Sequence, residues 1–368
     1  MHRLLVAPDV QLQIVATGAH LSPSHGGTID ELRREGFSVD DEVDMLLASD
    51  SRRAVGQSLG LAVMGLTKTL DRLSPEIIVI LGDRYEMLAA AQAAMVLGIP
   101  IAHLHGGEKT EGAIDEAIRH AITKMAHLHF TATEEFRTRV MQLGEAPERI
   151  FNVGATGLDN IAELDPAPRS ELEEALGIAL DRPLLLVTYH PVTLGTGDAE
   201  HFDALLGSLA ERHDFSIVFT GANADALGHA INTKVKDFCS TRPENCAHVI
   251  SLGYRRYLSL MKLAAAVVGN SSSGIVEAPA MGVPTVNIGI RQQGRPRAPS
   301  IIDCEPNEAE IRDALDAALS LEMQVLAQEC GSPYGVPGAG ERIANLLRSV
   351  SLDGILLKRF HDLDGANL

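Results

Sequence analysis

The segment Gly269-Asn-Ser-Ser-Ser-Gly-Ile-Val-Glu277 sets three hydroxyls in a row where an apolar run gives way to a helical pattern. Hydroxyls and backbone N–H groups at a helix N-terminus cradle phosphate, which singles out Ser271, Ser272 and Gly274. Glu277 is expected in the first turn of that helix, where its carboxylate can accept hydrogen bonds from both ribose hydroxyls. A serine-capped helix with no ligand would use the same residues. Further on, Arg291-Gln-Gln-Gly-Arg295-Pro-Arg297 brings three arginines to the end of another apolar run. They are expected to supply local positive charge for an anionic ligand.

The densest group of titratable residues is His103-Leu-His105-Gly-Gly-Glu108-Lys-Thr-Glu111, followed by Asp115-Glu-Ala-Ile-Arg119-His120. Carboxylates beside imidazoles are what proton abstraction and return require, with one group poised as base and another as acid. Asp115 and Arg119 stand four apart on a helical pattern, as do Glu116 and His120, so each pair shares a face. Gly82-Asp83-Arg84-Tyr85-Glu86 places an acid and a base after a glycine turn; Asp83 serves either as a site acid or simply as a helix N-cap. Tyr189-His190-Pro191 and Gly221-Ala-Asn223 offer a histidine and an amide at comparable places. A metal could draw on His103, His105, Glu108 and Asp115, but no second tight ligand pair completes a set, so none is expected.

These groups sit at the ends of short apolar runs, and that placement needs a frame. The predicted strands are 12–17, 77–81, 100–104, 128–131, 150–153, 184–188, 216–219, 248–250, 266–268 and 285–288. Several are unbroken Val/Ile/Leu runs, the pattern of strands buried on both faces of a parallel sheet. Helical patterns over 53–72, 86–97, 113–125 and 133–143 alternate with them, giving an α/β doubly wound fold. Two prolines in Leu164-Asp-Pro-Ala-Pro-Arg169 interrupt the rhythm. The expected domains are therefore 1–165 and 166–345, each Rossmann-like, with a tail at 346–368 whose end forms a terminal helix. In such sheets ligands bind beyond the carboxyl ends of the strands, where the candidate residues lie.

Composition narrows the function class. The chain has 368 residues, 45% of them hydrophobic, and a formal net charge of −18. That length suits two domains, and the acidity disfavours nucleic acid or an anionic membrane as partner. No run reaches the roughly 18 apolar residues of a membrane span, and no leader pattern opens the chain, so a cytoplasmic protein is expected. Cys239, Cys246, Cys304 and Cys330 form no C-x-x-C pair and read as reduced thiols.

Taken together, Leu81-Gly-Asp-Arg-Tyr-Glu86, the His-rich Gly-Gly-Glu-Lys turn, Asp115…Arg119-His120 and Gly269–Glu277 resemble the UDP-N-acetylglucosamine 2-epimerases. Ala121-Ile-Thr-Lys-Met-Ala-His-Leu-His129 with Thr131-Ala-Thr-Glu-Glu135 is similar to the hydrolysing branch, which serves sialic and related nonulosonic acid synthesis. The likeness runs along nearly the whole chain. It implies a GT-B architecture with a UDP-sugar in the cleft, no cofactor, and net hydrolysis of UDP-GlcNAc to UDP and N-acetylmannosamine. A legionaminic-type substrate, UDP-2,4-diacetamido-trideoxyhexose, is the alternative; a GT-B glycosyltransferase or a non-catalytic UDP-sugar binder would share the cleft. By position, Asp83 and Asp115 match acid/base residues, and His190 a histidine near the diphosphate. Ser271 and Ser272 match phosphate contacts, Glu277 the ribose contact and Arg291 a cleft arginine, with Arg84 and Asn223 matching more loosely. A homo-oligomer, dimer or tetramer, is expected.

The sequence departs from the family pattern twice. Where many members carry H-x-E-G-G, His105 occupies the glutamate position, so either its imidazole or Glu108 takes over the proton transfer, or the substrate differs. The family also opens with a strand and a Gly-Ser-Arg-Ala-Glu-like loop, whereas Met1-His-Arg-Leu-Leu5 aligns with the helix after that loop. A first strand and one arginine are therefore expected to be missing, with a weakened nucleotide site as the consequence.

Overall fold

The computed structural model describes residues 1–23, 27–49, 51–110, 113–191, 198–221 and 228–363. Its strands are β1 (Val15–Thr17), β2 (Asp41–Val43), β3 (Ile78–Leu81), β4 (Ile101–Leu104), β5 (Leu128–Thr131) and β6 (Ile150–Asn152). The second half adds β7 (Leu184–Thr188), β8 (Ser216–Thr220), β9 (Cys246–Val249), β10 (Ala264–Gly269), β11 (Thr285–Ile288) and β12 (Ile301–Cys304). All the pairings are parallel. The predicted strands are all present, 128–131, 184–188 and 285–288 with the same bounds and the others with shifted ends, while β2 and β12 were not anticipated.

In the C-terminal half the order is β12-β11-β10-β7-β8-β9. The chain runs outward from β7 in one direction, then returns and runs outward from β10 in the other. The adjacent carboxyl ends of β7 and β10 thus form the topological switch point, where a doubly wound sheet opens a crevice. Leu184–Val187 are fully buried, sandwiched between Phe202, Leu205 and Phe219 on one face and Leu172, Leu258 and Met261 on the other. Burial on both faces is what selects the unbroken apolar run. At the switch point Gly269 adopts φ +129°, and a Cβ there would overlap the Thr188 carbonyl, so only glycine lets the strands end this close.

In the N-terminal half β3-β4-β5-β6 form one sheet and β1-β2 a separate pair. The helices Arg52–Leu73 and Tyr85–Leu97 cover one face, burying Val43, Ile80 and Ile101 in a common cluster. The other face packs Ala102, Phe130 and Val153 against Ile343 and Ile355 from the end of the chain. The helix Ala339–Ser349 thereby crosses back to the first half, anchored by Asp159, whose carboxylate accepts from the N–H groups of Gly338, Ala339 and Gly340. Among the described residues no strand joins β1 to β3, and Val79 and Leu81 of β3 are exposed.

Two expectations are corrected. Residues 350–363 form no terminal helix; they run as turns whose anchors are side chains, with Lys358 donating to the Ala126 carbonyl and pairing with Glu145. Cys239 and Cys246 are not reduced thiols: a tight turn between the helix Gly228–Ser240 and β9 brings their Cα atoms to 5.0 Å, and they form a disulfide. Among the described residues no helix is long and apolar enough to cross a membrane.

Candidate active site

The carboxyl ends of β3, β4 and β6 face those of β7, β10 and β11, and the candidate residues gather between them. At the switch point the Asn270 side chain closes a ring with the His190 backbone, accepting from its N–H at 2.7 Å and donating to its carbonyl at 2.8 Å. The Asn270 carbonyl in turn accepts from Arg291 and Gln292. This fixes His190 and Arg291 beside the cradle. Burial, with Arg291 and Arg84 nearby, pushes the His190 imidazole well below its usual range, so it stays neutral.

The Ser271–Ser273 segment is not closed by a simple serine cap. The helix runs Ser273–Ala280, and Ser272 at its N-cap makes no side-chain capping bond. The Ser273 N–H instead lies 3.4 Å from the Ser271 hydroxyl, and the N–H groups of Gly274, Ile275 and Val276 bond the carbonyls of Ser271 and Ser272. Ser271 and Tyr257 instead bond the Ser273 hydroxyl at 3.1 and 2.6 Å, and buried Gly274 brings the helix against Thr285, whose hydroxyl donates to its carbonyl. Glu277 is one residue too late for the first turn and lies in the second. It meets the opposite half at Gly157, where a Cβ would overlap its carboxylate. Burial, opposed by His105 and Arg295, raises the Glu277 carboxyl to about 7.

Across the cleft, His105 follows β4 with φ +64°, a left-handed conformation rare outside glycine. Such a conformation costs of order 1–3 kcal/mol and is typical of functional sites. It breaks the alternation that would leave His105 facing the same way as His103. His103 is spent on structure: one ring nitrogen donates to the Gly82 carbonyl at 2.8 Å, the other lies 3.2 Å from the Thr123 hydroxyl, and burial lowers it to about 3. The His105 ring is free of such duty. Its Nδ1–H donates to Glu108 at 2.6 Å, which leaves the Nε2 lone pair to accept from the Thr156 hydroxyl at 2.9 Å and its N–H at 3.4 Å. Glu108 is fully engaged, its second oxygen 2.9 Å from Arg295. Burial works to raise the Glu108 carboxyl, but Arg295 and then His105 hold it below the usual carboxylate range.

Asp83 is not the helix N-cap, a position held by Arg84. It pairs instead with Arg119, a buried guanidinium that also binds Glu116, Thr110 and the Glu108 carbonyl. Asp115 and Arg119 share the helix Ile114–Met125, but Asp115 lies 3.9 Å from Arg84, while Glu116 and His120 pair at 3.1 Å. Of the three downstream arginines, Arg291 and Arg295 enter the cleft, and Arg297 turns away to Asp303. Asn223 lies outside the described residues; among the described residues there is no group of three or more side chains that could hold a metal ion. Asn270, Thr156, Arg119 and Arg295 complete the constellation. Asn270 directly follows β10 and Thr156 follows β6, the one signal that could have singled those two out; Arg119, inside the helix Ile114–Met125, and Arg295 were already marked by their charge.

The geometry agrees with what comparison finds. The model of the UDP-N-acetylglucosamine 2-epimerase family matches residues 2–348. A Campylobacter jejuni protein named GDP/UDP-N,N'-diacetylbacillosamine 2-epimerase (hydrolyzing) is 41% identical over 364 residues, 98% of this chain and 94% of that protein. Polysialic acid biosynthesis protein P7 of Escherichia coli is 36% identical over 331 residues, covering 89% of this chain and 83% of its own. The crystal structure of a Neisseria meningitidis UDP-GlcNAc 2-epimerase bound to UDP-GlcNAc shares the fold, with TM-score 0.79, 18% identity and 95% coverage of each chain. The chain belongs to the UDP-N-acetylglucosamine 2-epimerase family, in its hydrolysing branch.

Proposed function

We propose that the chain removes the C2 proton of a UDP-2-acetamido sugar, expels UDP from C1, and adds water back with C2 inverted. The C2–H electrons form the glycal double bond as the C1–O bond to UDP breaks; water then supplies a hydroxyl to C1 and a proton to C2. The observation that carries this reading is the orientation of His105. Its Nδ1–H is committed to Glu108, so Nε2 is the basic nitrogen a general base requires; its lone pair rests on Thr156, which the substrate must displace to offer its C2 proton. Glu108, bound on both oxygens, orients the ring and does not itself move the proton. Asp115 serves as the second acid/base group, with Arg84 beside it, and Asp83 holds Arg119 in place.

The diphosphate rests on the Ser271, Ser272 and Gly274 segment with His190 and Arg291, while Glu277 takes the ribose and Asn223 lies near the sugar. For the sugar, the 41% identical relative favours UDP-2,4-diacetamido-trideoxyhexose. UDP-GlcNAc, yielding N-acetylmannosamine, is the second reading, supported by the family and by the polysialic acid relative. The division at residue 165 and the homo-oligomer stand as part of the same proposal, the former because Pro166 and Pro168 separate the helices Gly157–Ala162 and Arg169–Leu176.

Each UDP-sugar is incubated with the protein, without acceptor, in deuterated water. Release of UDP with deuterium at C2 of the freed sugar is expected, and Asp115→Asn should abolish it while sparing UDP affinity. No UDP from either substrate would sink the proposal; release without deuterium would remove the proton-abstraction step.

A further inference from the structure

Arg295 stands in the segment after β11, yet most of its bonds cross the cleft. Its Nε donates to the Lys109 carbonyl at 2.8 Å, and its second nitrogen lies 2.9 Å from Glu108 and 3.4 Å from the Thr110 hydroxyl. Arg295 and Glu108 are both buried. A buried carboxylate without a counter-charge is costly, so Glu108 keeps its charge only while Arg295 is in place. The other oxygen of Glu108 is the one that holds His105, which itself sits in a strained backbone. Two halves of the molecule therefore meet on one carboxylate, and that carboxylate orients the imidazole.

We propose that Arg295 is a positioning residue that makes the orientation of His105 depend on closure of the cleft. It rests on the reading of His105 as the proton-moving group. With Arg295 withdrawn, the groups described beside Glu108 in its own half are His103, His105 and the Arg119 guanidinium on its carbonyl. Closure brings Arg295 to its second oxygen and Glu277 to the neighbourhood of His105. The charged Glu108 then accepts the Nδ1–H, and Nε2 becomes the basic nitrogen. Substrate that spans both halves thus assembles the base it needs, and proton abstraction is withheld from the open protein.

Arg295→Gln and Arg295→Lys are compared with the unaltered protein. A misoriented base costs about 100-fold in rate. The Gln variant should lose kcat by about that factor with KM changed less than about threefold. Because Arg295 holds the Glu108 carboxyl down, its loss lets Glu108 take a proton at higher pH, and the acid limb of the kcat profile should move up. The Lys variant, which keeps the charge, should return the limb towards its original position. An unmoved limb in the Gln variant overturns the coupling, as does a loss carried wholly by KM, which would make Arg295 a plain substrate ligand. A readout independent of turnover is the Nδ1–H resonance of labelled His105 with UDP bound. It should be present in the unaltered protein and lost in the Gln variant. Unaltered protein that shows this dependence yet turns over neither UDP-sugar would overturn the proposed reaction and leave the coupling standing; the same resonance in both proteins would overturn the coupling. Retained melting temperature shows that the variants fold.

Discussion

Glu277→Gln should stabilise the unliganded protein at alkaline pH while weakening its hold on UDP. Burial raises the Glu277 carboxyl to about 7 in the folded chain, against about 4.3 in an unfolded one. The native state therefore keeps a proton that the unfolded chain has already released. Stability is unaffected below about pH 4, falls as pH rises through the interval between the two values, and levels off above 7. At about 1.4 kcal/mol per pH unit the full loss is about 4 kcal/mol, an upper figure. Glutamine resembles the neutral carboxyl and escapes that loss. For 368 residues unfolding as one unit, about 2 cal/mol/K per residue converts about 4 kcal/mol into a melting rise of about 5 K. At pH 4 the variant and the parent should melt together. UDP at about 100 times its Kd should stabilise the parent by about 2.7 kcal/mol. The variant loses a charged acceptor for the ribose, at about 1.5–3 kcal/mol per hydrogen bond, so the same UDP concentration should hardly move it. Scanning fluorimetry at pH 4 and 8, with and without UDP, reads all four cases. A melting difference that does not change with pH, or a variant that melts lower at pH 8, would refute the account of Glu277 as a buried acid held for ribose.

Gly157→Ala should displace the Glu277 carboxylate that a Cβ at 157 would overlap. Overpacking of about 1–3 kcal/mol predicts UDP binding weakened about 5- to 100-fold; calorimetric titration giving an unchanged Kd would remove the Gly157–Glu277 contact from the nucleotide site. Glu145 binds Lys124 at 2.6 Å, Lys358 at 2.7 Å and His129 at 3.0 Å, tying the end of the chain to the first half. Burial opposes its ionisation, but His129 and the two lysines hold its carboxyl to about 2. Its folded value is depressed, so its contribution of at most about 3 kcal/mol is complete above pH 5 and disappears as pH falls through 2. Glu145→Gln should therefore lower the melting temperature at pH 7 and converge on the parent near pH 2. An equal gap at both ends would show that packing, not charge, carries the contact.

The fold was legible because parallel strands buried on both faces leave unbroken apolar runs, and Leu184–Thr188 announces itself that way. β2 was invisible for the converse reason. Asp41-Glu-Val43 pairs on one edge only and has one buried residue, Val43, so its side chains carry little apolar signal. β12, at the edge of its sheet, buries none of its residues fully and reads as an ordinary loop. The Cys239–Cys246 bond escaped because spacing alone does not reveal that a turn folds the helix end back on β9.

The site was legible by residue type and place but not by partner. The rule that ligands bind at strand ends drew attention to Asp83, His105, Glu108, His190 and Ser271, since the rule follows from sheet geometry. Pairing between the halves follows from no such rule: Arg295 and Glu108 meet only when both halves have folded, and nothing local to either residue encodes the other. His105 is the instructive case. A residue at φ +64° would be read from local preference as glycine, and glycine does follow it twice. The chain instead spends conformational energy to hold an imidazole at the strand end. That expense is offset by three contacts, from Glu108 and from the hydroxyl and N–H of Thr156, which together fix one tautomer. A histidine needed only for packing would gain nothing from a fixed tautomer, whereas a general base needs its lone pair on one particular nitrogen.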